Sequence, residues 1–187
     1  VILIVIGGII AVRQGYLNAA LEKIGLIKLK PTEVKPIESF MQSCVEQITK
    51  EGINLVALQG GYITLPRDTM PNSQFTPLQA NLEIIPGSDL KAPLWFRERG
   101  NGIQETKVPS QQDIENELAG YVNNRFVLCV NNLTSFSDQG YEFTGNSIPK
   151  TKTSISKNTV NVEINYPIKV SKDGTEYSMN IHTATVD

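Results

Sequence analysis

The chain has one histidine, His182, and two cysteines, Cys44 and Cys129. An imidazole does nucleophilic chemistry only when a buried carboxylate and a nucleophile stand beside it. No nucleophile elbow is written in this sequence. His182 lies close to the C-terminus, where alternation puts it on the polar face of the last strand, opposite Ile181 and Thr183. That predicts a surface residue. Zinc needs clustered Cys and His, and one His with two distant cysteines fits no such spacing, so no metal and no cofactor is expected. Cys44 and Cys129 are expected to pair in an oxidising compartment, closing a long loop and contributing roughly 4 kcal/mol. Two buried free thiols are the alternative.

Asp113 and Glu117 stand one helical turn apart. As an acid–base pair they would require one carboxyl raised by burial. Their neighbours Gln111, Gln112, Glu115 and Asn116 predict a solvated face instead. Trp95, Phe96, Arg97, Glu98 and Arg99 form an aromatic–basic cluster of a kind that can bind a sugar or an anionic partner, or simply plug an exposed turn. Gly60-Gly61 and Gly100-Asn101-Gly102 lack the strand-to-helix setting of phosphate loops and read as turns. Asn132-Leu133-Thr134 is an N-glycosylation sequon, which makes Asn132 a modification candidate. No catalytic residue is expected.

The elements that must carry these residues begin with Val1–Val12, a run without a polar side chain. At about 1.5 Å per residue it covers roughly 18 Å, less than a bilayer core. It is expected to be the end of a longer hydrophobic helix, with a buried strand as the alternative because Val and Ile favour sheets. Tyr16, Leu17, Ala20, Leu21, Ile24 and Ile27 extend it as an amphipathic stripe to Leu29. Gly7-Gly8 permits close approach of neighbouring helices. The face available for assembly comprises Val1, Ile4, Gly7, Gly8, Ala11, Tyr16, Ala20, Leu21 and Ile24.

Pro31 is expected to end this helix, with Lys30–Lys35 as a hinge. A second helix is expected from Pro36, with Ile37, Phe40, Met41, Cys44, Val45 and Ile48 facing inward, Gly52 weakening it and Gly60-Gly61 stopping it. Tyr62–Thr106 reads as an irregular excursion with two short strands near Leu82–Ile85 and Leu94–Phe96. Ser110 with Asp113 forms a capping box that opens a further helix, buried through Ile114, Leu118, Tyr121 and Val122. After Phe126 the pattern turns to sheet. Val160–Val170 alternates strictly, Asp173-Gly174 marks a hairpin turn, and Tyr177, Met179 and Ile181 continue the period of two. Pro167 on the outer face predicts an edge or bulge. Tyr141–Ser147 and Lys152–Ser156 complete a four-stranded meander. The expected fold is α+β, with an anchor and stalk over 1–30 and an extracytoplasmic head over 31–187.

Across 187 residues the formal net charge is -2, with 40% hydrophobic and 19% charged residues. That balance gives no electrostatic case for nucleic acid, which would need a concentrated basic face, so none is expected as a partner. A hydrophobic N-terminal helix, an amphipathic stalk and a strand-rich head resemble the type IV pilin plan. That resemblance implies a cell-surface filament whose helices bundle in the core, with self as the partner and membrane lipid before assembly. Cys44–Ile63 (CVEQITKEGINLVALQGGYI) and Val108–Phe136 are similar to segments of uncharacterised, singly anchored archaeal surface proteins, which implies location and anchoring only. The alternative is a monomeric anchored receptor or adhesion domain using Tyr62–Thr106 as its binding surface. A hydrolase is disfavoured by the missing nucleophile and metal signatures.

Overall fold

The structure, a computed structural model, describes residues 31–69, 80–98, 101–145 and 148–187. The helix expected over 1–29, with its assembly face from Val1 to Ile24, lies outside the described residues.

Helix α1 spans Pro31–Leu58 and contains Pro36. The hinge expected over Lys30–Lys35 is therefore corrected: from Pro31 onward it is helix. Pro36 removes one hydrogen bond to Thr32. Packing outweighs that loss. Val34 is fully buried in the same stripe as Ile37, Met41, Cys44, Val45 and Ile48, and the Tyr141 hydroxyl donates to the Glu33 carbonyl at 2.9 Å. Gly60 and Gly61, with φ of 63° and 95°, then turn the chain out of the helix.

Next comes an arm of two short hairpins. Strand β1 (Asn81–Glu83) pairs antiparallel with β2 (Lys91–Pro93), and β3 (Phe96–Glu98) with β4 (Gln104–Thr106). The excursion thus holds four short strands where two were expected. The arm is tied to the body by polar contacts: the Trp95 indole donates to the Gly60 carbonyl at 2.8 Å. Tyr62 donates to the Lys107 carbonyl at 2.9 Å, and the Asn81 amide donates to the Thr69 carbonyl at 2.9 Å.

Helix α2 spans Gln111–Val130 and opens on the complete Ser110–Asp113 capping box. Its buried line is Leu118, Val122, Phe126 and Val130, while Ile114 and Tyr121 are half-buried. The expected change to sheet after Phe126 is corrected: the helix persists, because Cys129 must reach Cys44 and Val130 fills the core. A 3-10 turn (Asn131–Leu133) and a single-turn helix α3 (Thr134–Ser137) follow. The Asn132 side chain lies outside the described residues.

The Cys44–Cys129 disulfide joins α1 to α2 with the Cα atoms 6.1 Å apart and 85 positions between them in sequence. Gly52, expected to weaken α1, is buried in it where α2 passes. A Cβ there would stand 2.5 Å from Leu118 Cδ1 and 3.0 Å from a Tyr121 ring carbon. The glycine lets the two helices approach.

The sheet contains β5 (Glu142–Thr144), β6 (Lys150–Ile155), β7 (Val160–Lys172) and β8 (Thr175–Val186), all antiparallel to their neighbours. It is not a simple meander. β5 and β6 lie end to end along one edge of β7, and β8 runs along the other. The gap between β5 and β6 falls opposite Tyr166-Pro167, where proline offers no N–H to a ladder. Asp173 and Gly174, both at positive φ, make the tight β7–β8 turn. Helix α1 covers β8 and α2 covers β6, so both helices sit against the sheet. Val162, Ile164, Ile168, Val170 and Met179 meet the helical stripes in one core, while Asn161, Glu163, Asn165 and Lys169 are exposed.

His182 requires a correction. It is buried, opposite Ile164 in register and 6.1 Å from Phe126 between ring centroids. The cause is a bulge: Asn165 pairs with Ile181 and Ile168 with Met179, so two residues of β7 face one of β8. Inward positions on β8 therefore change from odd (Met179) to even (His182, Ala184, Val186). The Pro167 signal for a bulge is present in the sequence; its effect on the facing strand is not local.

Candidate functional site

The open groove beside the first half of α2 has a volume of about 930 Å³. Its floor is the outer side of α2, from Asp113 to Arg125; its walls are the 61–66 segment that leaves α1 and the 106–109 segment that returns from the arm. These walls are set by Gly61, whose φ of 95° suits glycine and whose missing side chain leaves room for Pro109.

Polar side chains in the groove are largely committed. Asp113 accepts from the Ser110 amide at 2.9 Å and from its hydroxyl at 2.6 Å. The Ser110 hydroxyl bond, then the amide, holds its carboxyl below the usual range. Glu117 accepts from the Thr64 backbone amide at 3.0 Å, which pins the 61–66 wall to α2. The two carboxylates expected on one solvated face are thus on one helix but each has a structural partner. Arg125 lies over the Tyr121 ring at 5.6 Å, a cation–π arrangement. Tyr62, Tyr121, Asn116, Asn124 and Arg125 give the groove aromatic surface and amide and guanidinium donors. Such a surface can hold a polar ligand by stacking and hydrogen bonds.

The aromatic–basic cluster divides. Trp95 anchors the arm through Gly60. The Arg97 guanidinium, 8% exposed, pairs with Glu105 at 3.1 Å, and Arg99 lies outside the described residues. Glu115 is a structural residue that sequence reading did not single out. It accepts from the Ile155 amide at 2.8 Å and from Gln111 at 2.9 Å, tying α2 to β6. The Gln111 bond, then the Ile155 amide, lowers its pKa. Nothing local marks its tie to β6, since Ile155 is forty residues away.

His182 is held neutral chiefly by desolvation, which lowers its pKa against the opposing pull of Glu38. Glu38 in turn accepts from the Tyr177 hydroxyl at 3.1 Å, and that bond raises the phenol's pKa. His182 Nε2 finds no hydrogen-bond partner among the described residues. Its ring lies 6.1 Å from that of Phe126. Among the described residues no group of three or more His, Cys, Asp or Glu converges as metal ligands, and no helix is long and apolar enough to cross a membrane.

Nothing matches. Comparison with protein-family models, curated proteins and solved structures returns no similar protein.

Proposed function

We propose that the chain is a structural, non-enzymatic subunit of a pilus-like cell-surface filament, with residues 1–30 as the self-associating helix and 31–187 as the head. The observation that carries this reading is the way α1 enters the head. The chain is helical from Pro31, and within its first turns it is gripped by the buried Val34 and by the Tyr141 bond to the Glu33 carbonyl. Further along, the disulfide clamps it to α2. A helix preceding Pro31 would thus be mounted on a rigid shaft, as a filament core requires.

The disulfide also supports an oxidising location outside the cytoplasm. The structural employment of Asp113, Glu115 and Glu117, together with the burial of His182, supports a role without catalysis. The test is electron microscopy of filaments sheared from the native cell surface, with mass spectrometry of their content. This chain as the main component of a regular filament sustains the reading; single copies found only in detergent-extracted membrane refute it. The groove favours a second reading, an anchored receptor or adhesion domain that binds a polar ligand between Tyr62, Tyr121 and Arg125.

A further inference from the structure

The arm carries an apolar surface that the rest of the head does not match. Leu82, Ile85, Leu94, Phe96, Ile103 and Val108 are all exposed, Leu82 at 61% and Phe96 at 59%. With half-exposed Trp95, their uncovered side chains amount to roughly 600 Å², beside the ~800 Å² that each partner gives a stable interface. Elsewhere among the described residues the exposed large hydrophobics are Leu58, Val127, Leu128 and Ile148, at the end of α1, on α2 and before β6. Exposed apolar side chains concentrated in one arm in this way are a feature of interaction sites more than of idle surface, where they stand singly.

We infer that the arm is a self-association surface, covered by the arm of a second copy of this chain. Charge is the first argument. Over residues 80–108 four acids (Glu83, Asp89, Glu98, Glu105) balance four bases (Lys91, Arg97, Arg99, Lys107). Several neutralise one another within the arm. Glu83 pairs with Lys91 at 3.7 Å, and Glu105 takes both Arg97 and Lys107 at 3.1 Å. Two such arms meet without like-charge repulsion, and the arm offers no charge excess to attract an acidic or basic partner.

The second argument is supply. Exposed apolar side chains elsewhere on the described head are scattered, so within the described head of another copy the matching apolar surface is the same arm. Arm against arm is an isologous contact, the commonest kind in homo-oligomers. The ties from Trp95, Tyr62 and Asn81 to the body hold the arm in place before association, which limits the ordering cost.

The inference rests on the arm alone and not on the filament reading. Its test mixes unlabelled and nitrogen-15-labelled full-length chains and applies an amine-reactive cross-linker. Lys91 and Lys107 report on the arm; Lys23, Lys28 and Lys30 report separately on the N-terminal segment. The expected result is light-to-heavy arm–arm cross-links, reduced at least tenfold in a Phe96→Glu, Ile103→Glu double variant whose thermal midpoint is unchanged. If that variant melts early, Ile85→Glu on the other hairpin takes its place. Arm cross-links confined to one isotope, or mixed links that survive the substitutions, overturn the inference. Loss of N-terminal links alone would count against the filament and leave the arm contact standing.

Discussion

Replacing Gly52 by alanine sets two known effects against each other. In an unstrained helix, alanine exceeds glycine by about 1 kcal/mol. Here the new methyl would fall 2.5 Å from Leu118 Cδ1 and 3.0 Å from Tyr121 Cδ1. Leu118 is 1% exposed and belongs to the core, so it has little room to retreat. Overpacking of this kind costs about 1–3 kcal/mol. Gly52→Ala is therefore expected to destabilise the protein by about 1 kcal/mol, the propensity gain offsetting part of the clash. In a Leu118→Ala background the clash with that methyl disappears, and the same substitution should become neutral or stabilising. The assay is urea unfolding of the four proteins in a double-mutant cycle, followed by circular dichroism. A coupling energy of about 1–3 kcal/mol is expected. Stabilisation by Gly52→Ala in the parent, or coupling below about 0.5 kcal/mol, would refute the close approach of α1 and α2 at this point.

Replacing both Cys44 and Cys129 by serine should remove roughly 4 kcal/mol by loop entropy, and lower the urea midpoint by about 2 M; an unchanged midpoint would contradict the bridge. Ser110→Ala should cost about 1 kcal/mol through the lost cap of α2, read as a drop in thermal midpoint. His182 has a folded pKa lowered by burial. Well above about pH 6.5 both states are neutral and stability is full. As pH falls below that value the unfolded chain takes up a proton that the folded one refuses, so stability declines until the folded pKa is passed. His182→Leu should flatten this part of the pH profile in urea titrations, and an unaltered slope would place the titration elsewhere.

Much of the fold was legible because its signals are local. The Ser110–Asp113 box lies at the start of α2, the alternation over Val160–Val170 marks β7, and Asp173-Gly174 makes the hairpin turn. The N-terminal extent of α1 was misread because Pro36 is a strong local signal, outweighed by burial of Val34 and the distant Tyr141 hydroxyl. His182 was assigned to the wrong face because a bulge in β7 resets the facing strand. The arm was only partly legible, since strands of three residues are too short to show a period. The groove was not legible at all: one wall is pinned to its floor through Thr64 and Glu117, residues with no sequence pattern linking them.

The Cys44–Cys129 bridge also determines how the molecule responds to being pulled. Tension applied between the two ends of the chain runs along α1 to Cys44, crosses the sulfur–sulfur bond and continues from Cys129 into the sheet. The 85-position stretch between them is bypassed; fully extended it would supply roughly 290 Å of slack at about 3.4 Å per residue. The arm, the groove walls and most of α2 all belong to that bypassed stretch. Stretching can peel the sheet, yet it delivers no direct load along the backbone that shapes the groove and the apolar arm. A single cut in the arm by a protease would likewise leave both fragments on one covalent body.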